Sequence, residues 1–165
     1  MIIIGIDPGV AITGYGIIKT SKKKKSPRKT FECVDYGSIR TDPSFPPAER
    51  LKKISKELNK LIREYQPEIL AVENVYFFKN LKTALPVSQA KGVILLAAAN
   101  KNIPVYEFTP LQIKMLITGY GRAEKRQVQK IIKNELNLKE LPTPDDVADA
   151  LAVAICCGNL IKKRG

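Results

Sequence analysis

The chain opens on Met1-Ile2-Ile3-Ile4-Gly5-Ile6 and stops at Asp7-Pro8-Gly9. A short β-branched run closed by a turn-forming triplet reads as a buried strand. Side chains alternate along a strand, so Ile2, Ile4 and Ile6 share one face and Ile3, Gly5 and Asp7 the other. Asp7 ends the run, where a carboxylate is costly unless it meets water, a hydrogen-bond donor or a cation. Taken alone, it is better explained as a turn-forming Asp that bonds its own backbone ahead of Pro-Gly.

The rest of the chain builds a sheet around that strand. A second strand, Thr13 to Lys19, follows closely enough to form a hairpin, and a third covers Thr30 to Ile39. Between them, Ser21 to Lys29 is a polar, basic loop. The three prolines of Thr41 to Pro47 mark a connection. Leu51, Ile54, Leu58, Leu61, Ile62 and Tyr65 then recur at helical spacing, and Gln66-Pro67 ends that amphipathic helix. Ile69 to Val72 is a buried strand ending at Glu73. A helix is expected from Leu85 to Asn100, with Pro86 predicting a later start or a kink. A strand from Ile103 to Phe108 follows. Thr109-Pro110 opens a short helix that ends near Gly119, a capping hydroxyl followed by proline. Further helices span Ala123 to Leu136 and Thr143-Pro144 to Leu160. The order predicts an α/β fold: an antiparallel meander plus parallel strands in one five-stranded mixed sheet flanked by helices. No repeat or boundary divides residues 1–165, so a single domain is expected.

More acids join Asp7. Glu73 ends its strand as Asp7 does, and if the two strands pair in parallel both carboxylates emerge at one sheet edge, where open α/β sheets place their sites. In the last helix Asp146 and Asp149 are three apart and share a face; Asp145 and Asp149, four apart, do so too. Spacing does not choose between them. Asp145 and Asp146 complement the helix dipole in a first turn, and with Thr143 as N-cap Asp146 stands at the capping-box position. Asp149 has no such explanation among its alanines and aliphatics, and a cation is the simplest compensation. Oxygen ligands without His or a Cys cluster point to Mg²⁺ or Mn²⁺. Two such ions about 4 Å apart can stabilise the attacking and leaving oxygens of phosphodiester displacement.

Composition supports a polyanionic partner and removes several chemistries. Lys and Arg number 28 against 16 Asp and Glu, a formal charge of +12. Such an excess favours phosphate binding through counterion release; a solvated lysine-rich surface accounts for it equally well. With no His in the chain, Ser-His-Asp and Cys-His nucleophilic sites and imidazole-bound zinc are excluded. Cys33, Cys156 and Cys157 read as reduced core thiols. No apolar segment is long enough to span a bilayer, and Met1 to Ile6 lacks the features of a signal peptide. A soluble, cytoplasmic protein is expected.

Several segments together resemble the RuvC family of Holliday-junction resolvases, within the ribonuclease H-like fold. They are Gly5-Ile6-Asp7-Pro8-Gly9 with Thr13-Gly14-Tyr15-Gly16, Ala71-Val72-Glu73-Asn74-Val75-Tyr76, Lys79-Asn80, Gln89-Ala90-Lys91-Gly92-Val93, Gly119 to Lys125 and Asp146 to Ala152. The resemblance implies a homodimer that binds four-way junction DNA and nicks two strands of like polarity with Mg²⁺, two ions per site, Mn²⁺ substituting. It assigns the metal ligands to Asp7, Glu73, Asp146 and Asp149, choosing Asp146 over Asp145. It also implies cooperation with the RuvA and RuvB branch-migration proteins and a preference for short sequences at the cut. Lys114 and Lys125 match family positions that contact DNA near the scissile phosphate. Tyr76, first of three consecutive aromatics, matches the family's stacking residue. For any one of 28 basic residues a solvated face is the plainer explanation; core or interface packing is the plainer one for at least one of Phe77 and Phe78. The basic loop over residues 22–29 is longer than the family leads one to expect.

Two other functions compete. A non-catalytic junction-binding module of the same fold would bind DNA without cutting it, but would gain nothing from four crowded acids. A small actin-like nucleotide-binding protein is suggested by Gly-Ile-Asp-x-Gly, yet the chain lacks a second phosphate loop and the length for two lobes.

Overall fold

The computed structural model describes residues 1–22, 29–74 and 81–161, with the backbone alone at 22, 29 and 81–83. Among the described residues five strands form one sheet in the order β3-β2-β1-β4-β5: β1 (Ile2–Asp7), β2 (Ile12–Lys22), β3 (Lys29–Arg40), β4 (Ile69–Glu73) and β5 (Val105–Phe108). β1, β2 and β3 pair antiparallel, while β4 pairs parallel to both β1 and β5. The expected mixed sheet is therefore present, with the β-branched opening strand at its centre.

The alternation of β1 distributes its side chains to two cores. Ile4 and Ile6 join Leu70 and Val72 beneath α1 (Pro47–Tyr65) and α2 (Leu81–Ala99). Ile3 and Ala71 lie on the other face beneath α5 (Asp145–Leu160). There α5 lies very close to the sheet. A Cβ on Gly5 would stand 2.1 Å from the Ala150 carbonyl oxygen, and one on Gly14 2.0 Å from that of Asp146. Only glycine admits a backbone approach of this kind.

Helix ends follow from their local chemistry. Gln66 adopts a left-handed conformation and donates its N–H to the Ile62 carbonyl, after which Pro67 prevents continuation. α3 (Pro110–Thr118) opens on Thr109, whose hydroxyl accepts from the Gln112 N–H while the Gln112 side chain accepts from the Thr109 N–H. It closes at Gly119, whose φ is 75°. α4 (Lys125–Glu135) completes the set.

Several boundaries differ from expectation. β2 and β3 run further than expected, so Ser21, Lys22 and Lys29 belong to strands rather than to a loop. Paired hydroxyls of Ser21 and Thr30, 2.8 Å apart, carry the ladder outward; residues 23–28 of the basic stretch lie outside the described residues. α2 begins at Leu81, before Pro86 rather than after it. Proline at the sixth position removes one hydrogen bond, to the Lys82 carbonyl, while burial of Ala84, Ala90 and Ile94 favours the helix. β5 starts at Val105, because Pro104 has no N–H and offers only its carbonyl, to Leu70. Ala123 closes a turn in which its N–H donates to the Tyr120 carbonyl, and α4 starts two residues later. The N-cap of α5 is Pro144, with no side-chain cap, so Asp146 is not at a capping-box position. Among the described residues, no helix is long and apolar enough to cross a membrane.

Candidate active site

Parallel pairing places Ile6 beside Val72. The next residues along, Asp7 and Glu73, therefore leave the sheet side by side at one edge. Both point to the α5 face, since their neighbours two residues back, Gly5 and Ala71, lie there. From that face Asp149 projects out of the second turn of α5. Carboxylate oxygens of Asp7, Glu73 and Asp149 lie within 4.8 Å of one another. Three elements distant in sequence thus deliver three acids to one point.

Crowding and burial make these acids reluctant to ionise. Burial pushes the Asp7 carboxyl up to about 8, reinforced by the charges of Glu73, Asp149 and Asp146 and opposed by Lys125. Burial and Asp149 raise Glu73 to about 7. Asp149 is raised as well, by burial first, although its hydrogen bond to Lys125 resists the change. An oxygen-only donor set whose members repel one another suits a hard divalent cation, which would cancel that repulsion.

Beside the acids is a cavity of about 190 Å³ lined by Glu73, Pro110, Ile113, Lys114, Lys125, Val128 and Asp149. Its walls combine apolar side chains with two acids and two cations. Lys125 is the first residue of α4; its Nζ lies 2.8 Å from Asp149 Oδ2 and 3.4 Å from Asp145 Oδ2. Burial alone would lower its pKa, but these two carboxylates raise it and keep the ammonium charged. Gln127 supports the start of α4 by accepting the Glu124 N–H through its side chain, at 2.9 Å.

The remaining expected residues divide. Asp146 is outside the three-acid cluster and lines an adjoining cleft with Pro8, Gly9, Arg50 and Pro86. It is nonetheless near enough for its charge to raise both Asp7 and Asp149. Asp145, the alternative that spacing left open, turns instead to α4, accepting from Gln129 Nε2 at 2.9 Å and pairing with Lys125. Lys114 reaches the cavity wall. Tyr76, with Phe77 and Phe78, lies outside the described residues. Sequence reasoning missed the apolar wall of Pro110, Ile113 and Val128, which follows from the packing of α3 and α4. It also assigned no role to Lys91, whose Nζ donates to Asn74 Oδ1 at 3.0 Å and pairs with Glu107. The available signal was a lone cation in an otherwise uncharged stretch from Ala84 to Ala99.

Comparison with known proteins bears on this arrangement. Residues 3–157 match the model of the family described as crossover junction endodeoxyribonuclease RuvC. The chain is 53% identical over 156 residues to the protein of that name from Desulforamulus reducens, covering 94% of this chain and 92% of that one. Its fold superposes on the Thermus thermophilus RuvC structure with a TM-score of 0.90 at 31% identity, covering 99% and 97% of the two chains. It is also similar to T. thermophilus RuvC in complex with Holliday junction substrate, with a TM-score of 0.88, 28% identity and coverage of 99% and 96%. On sequence, length and fold together, the chain belongs to the RuvC family of crossover junction endodeoxyribonucleases.

Proposed function

We propose that this chain is a structure-selective endonuclease that resolves four-way DNA junctions by hydrolysing phosphodiesters in two strands of like polarity, in recombination and repair. The observation that carries the reading is the meeting of Asp7, Glu73 and Asp149 beside a cavity walled by Lys114 and Lys125. Acids alone would repel DNA; acids faced by lysines suit a metal-bridged phosphate. Family membership supports the junction as substrate, as does the likeness to a RuvC bound to one.

In this reading Asp7, Glu73, Asp146 and Asp149 hold two Mg²⁺ ions, for which Mn²⁺ can substitute. Such a pair, when bound, stabilises the attacking and leaving oxygens of an in-line displacement at phosphorus. The protein's own part is to place the acids and exclude bulk water. Ile113 and Val128 are buried against the cavity, so charges there act through a medium less screening than water. Lys114 and Lys125 attract the phosphodiester, and Tyr76 stacks on an exposed base. The unit is one nuclease domain over residues 1–165, cytoplasmic, working with RuvA and RuvB.

The homodimer is supported by α2, where Leu85, Gly92 and Leu96 recur at intervals that share one exposed face. A Cβ on Gly92 would meet nothing within 4 Å, so a second helix could come close there. Two copies so joined would cut two strands.

The test is cleavage of a synthetic four-way junction, duplex and single strand, with and without Mg²⁺. Paired nicks are expected in the junction alone and only with metal, and Asp7→Asn should lower the rate more than about 100-fold, beyond the usual cost of losing an outer partner of a metal site. Junction binding without cleavage would make the chain a binding module instead.

A further inference from the structure

Lys91 lies on α2, and its side chain is 19% exposed. Its ammonium donates to Asn74 Oδ1 at 3.0 Å and forms a close ion pair with Glu107 Oε2. Asn74 directly follows Glu73, and its N–H donates to the Phe108 carbonyl at 2.7 Å, one step past the Glu73–Phe108 pair of the sheet. Glu107 stands opposite Val72 in the same ladder. One lysine therefore binds α2, β4 and β5 together at the edge where the Glu73 carboxylate emerges.

Strand alternation decides what this contact can do. Val72 belongs to the core beneath α1 and α2, and Ala71 to the core beneath α5. Glu73 follows Ala71 to the α5 face, whereas Asn74 and Glu107 meet Lys91 on the α2 face. Lys91 thus grips the strand end from behind. Lys91 and the Glu73 carboxylate lie on opposite faces of the sheet, so the influence of Lys91 runs through backbone position.

We infer that Lys91 is a positioning residue, which with Asn74 and Glu107 fixes the end of β4 and hence the Glu73 carboxylate relative to Asp7 and Asp149. The inference deepens the proposed metal-dependent nuclease and rests on it. A half-buried cation with two partners is a costly arrangement, and removing one partner leaves the others unsatisfied. A strand that needed only to pair could use an apolar residue there.

The test compares Lys91→Met, which keeps the stem and removes the donors, with Lys91→Arg, which keeps charge and donors. Mn²⁺ affinity by calorimetry, junction affinity without metal, and kcat and KM for junction cleavage are measured on protein shown to be folded. Lys91→Met should weaken Mn²⁺ binding and lower kcat by about 10–100-fold, the usual effect of losing an outer partner of a metal site. Junction affinity and KM should stay within about twofold, and Lys91→Arg should restore most of both losses. Unchanged Mn²⁺ affinity and kcat in folded Lys91→Met overturns the inference. So does a junction affinity that falls in step with cleavage, which would make Lys91 a DNA contact. If Lys91→Met fails to fold, Asn74→Ala removes one acceptor from the same clamp and must shift Mn²⁺ affinity in the same direction. If the parent cuts no junction, the nuclease reading fails, and Mn²⁺ affinity alone then decides the role of Lys91.

Discussion

α1 and α5 cover opposite faces of one sheet and do so in opposite ways. α1 buries a stripe, Ile54, Leu58, Leu61 and Ile62, and carries its Lys and Glu side chains mostly on the other side. From Val147 to Gly158 in α5, every residue but Asp149 is buried. Each large aliphatic side chain so buried contributes about 1.5–3 kcal/mol, so either helix is well held by packing. Their charges differ in consequence. Apart from Arg50, which donates to the Thr41 hydroxyl, those of α1 lie toward water and are screened, whereas Asp149 stands in a packed layer beside two more acids. A helix that only closes a core keeps its charges outside; α5 carries one into the layer, where binding chemistry can use it.

The contrast is broken most severely at the contact between α5 and β1. Gly5→Ala should cost about 3 kcal/mol or more, because the added methyl meets the backbone of Ala150 and Ala154 rather than a side chain that can turn aside. Urea denaturation reads this; a loss under about 1 kcal/mol would mean that α5 sits less tightly than described.

Next in size is the pH dependence of the metal-free protein. Asp7 titrates near 8 and Glu73 near 7 when folded, against 3.8 and 4.5 as ordinary values. Between those limits the folded state holds more protons than the unfolded one. Stability should therefore be greatest below about pH 4 on this account and decline as pH rises through 7 to 8, by on the order of a few kcal/mol. Added Mg²⁺ should oppose the decline increasingly as pH rises, since it binds the deprotonated acids. Denaturation in chelator and in Mg²⁺ across that range checks both; a flat metal-free profile would make these acids no different from those of α1. The smallest effect belongs to α1 itself. Lys56→Ala, on its exposed face, should change stability by less than about 0.5 kcal/mol in the same assay.

The same two helices explain how much was legible in the sequence. The stripe of α1 has a helical period, and its stop at Gln66-Pro67 is local chemistry, so both were readable. The placing of Asp7 and Glu73 at one edge was readable too, because alternation and parallel pairing require it. What α5 does was less so. Spacing alone left Asp145 and Asp146 equivalent, and no spacing within α5 reveals that Asp145 turns to Gln129 and Lys125 on α4. Strand lengths were underestimated where Ser21 and Thr30 pair hydroxyls, since polar residues read as loop when their partner is unknown. The start of α2 lies earlier than Pro86 suggests, because the lost backbone bond competes with buried alanines and Ile94. The lysine clamp behind Glu73 depends on three elements at once and leaves only a lone charge to be noticed.

The bare backbone at Gly5 and Gly14 has a meaning for how the chain can change over generations. These two positions act as the gauge that sets the clearance between α5 and the sheet. Substitutions elsewhere in a core are commonly absorbed by neighbours that repack, and several can accumulate. Here the neighbour is main chain and has no such play, so an error in the gauge would be passed undiminished to the carboxylate one turn away. Drift in this chain should therefore be freest on the outer surface of α1 and most restricted at two residues that have no side chain at all.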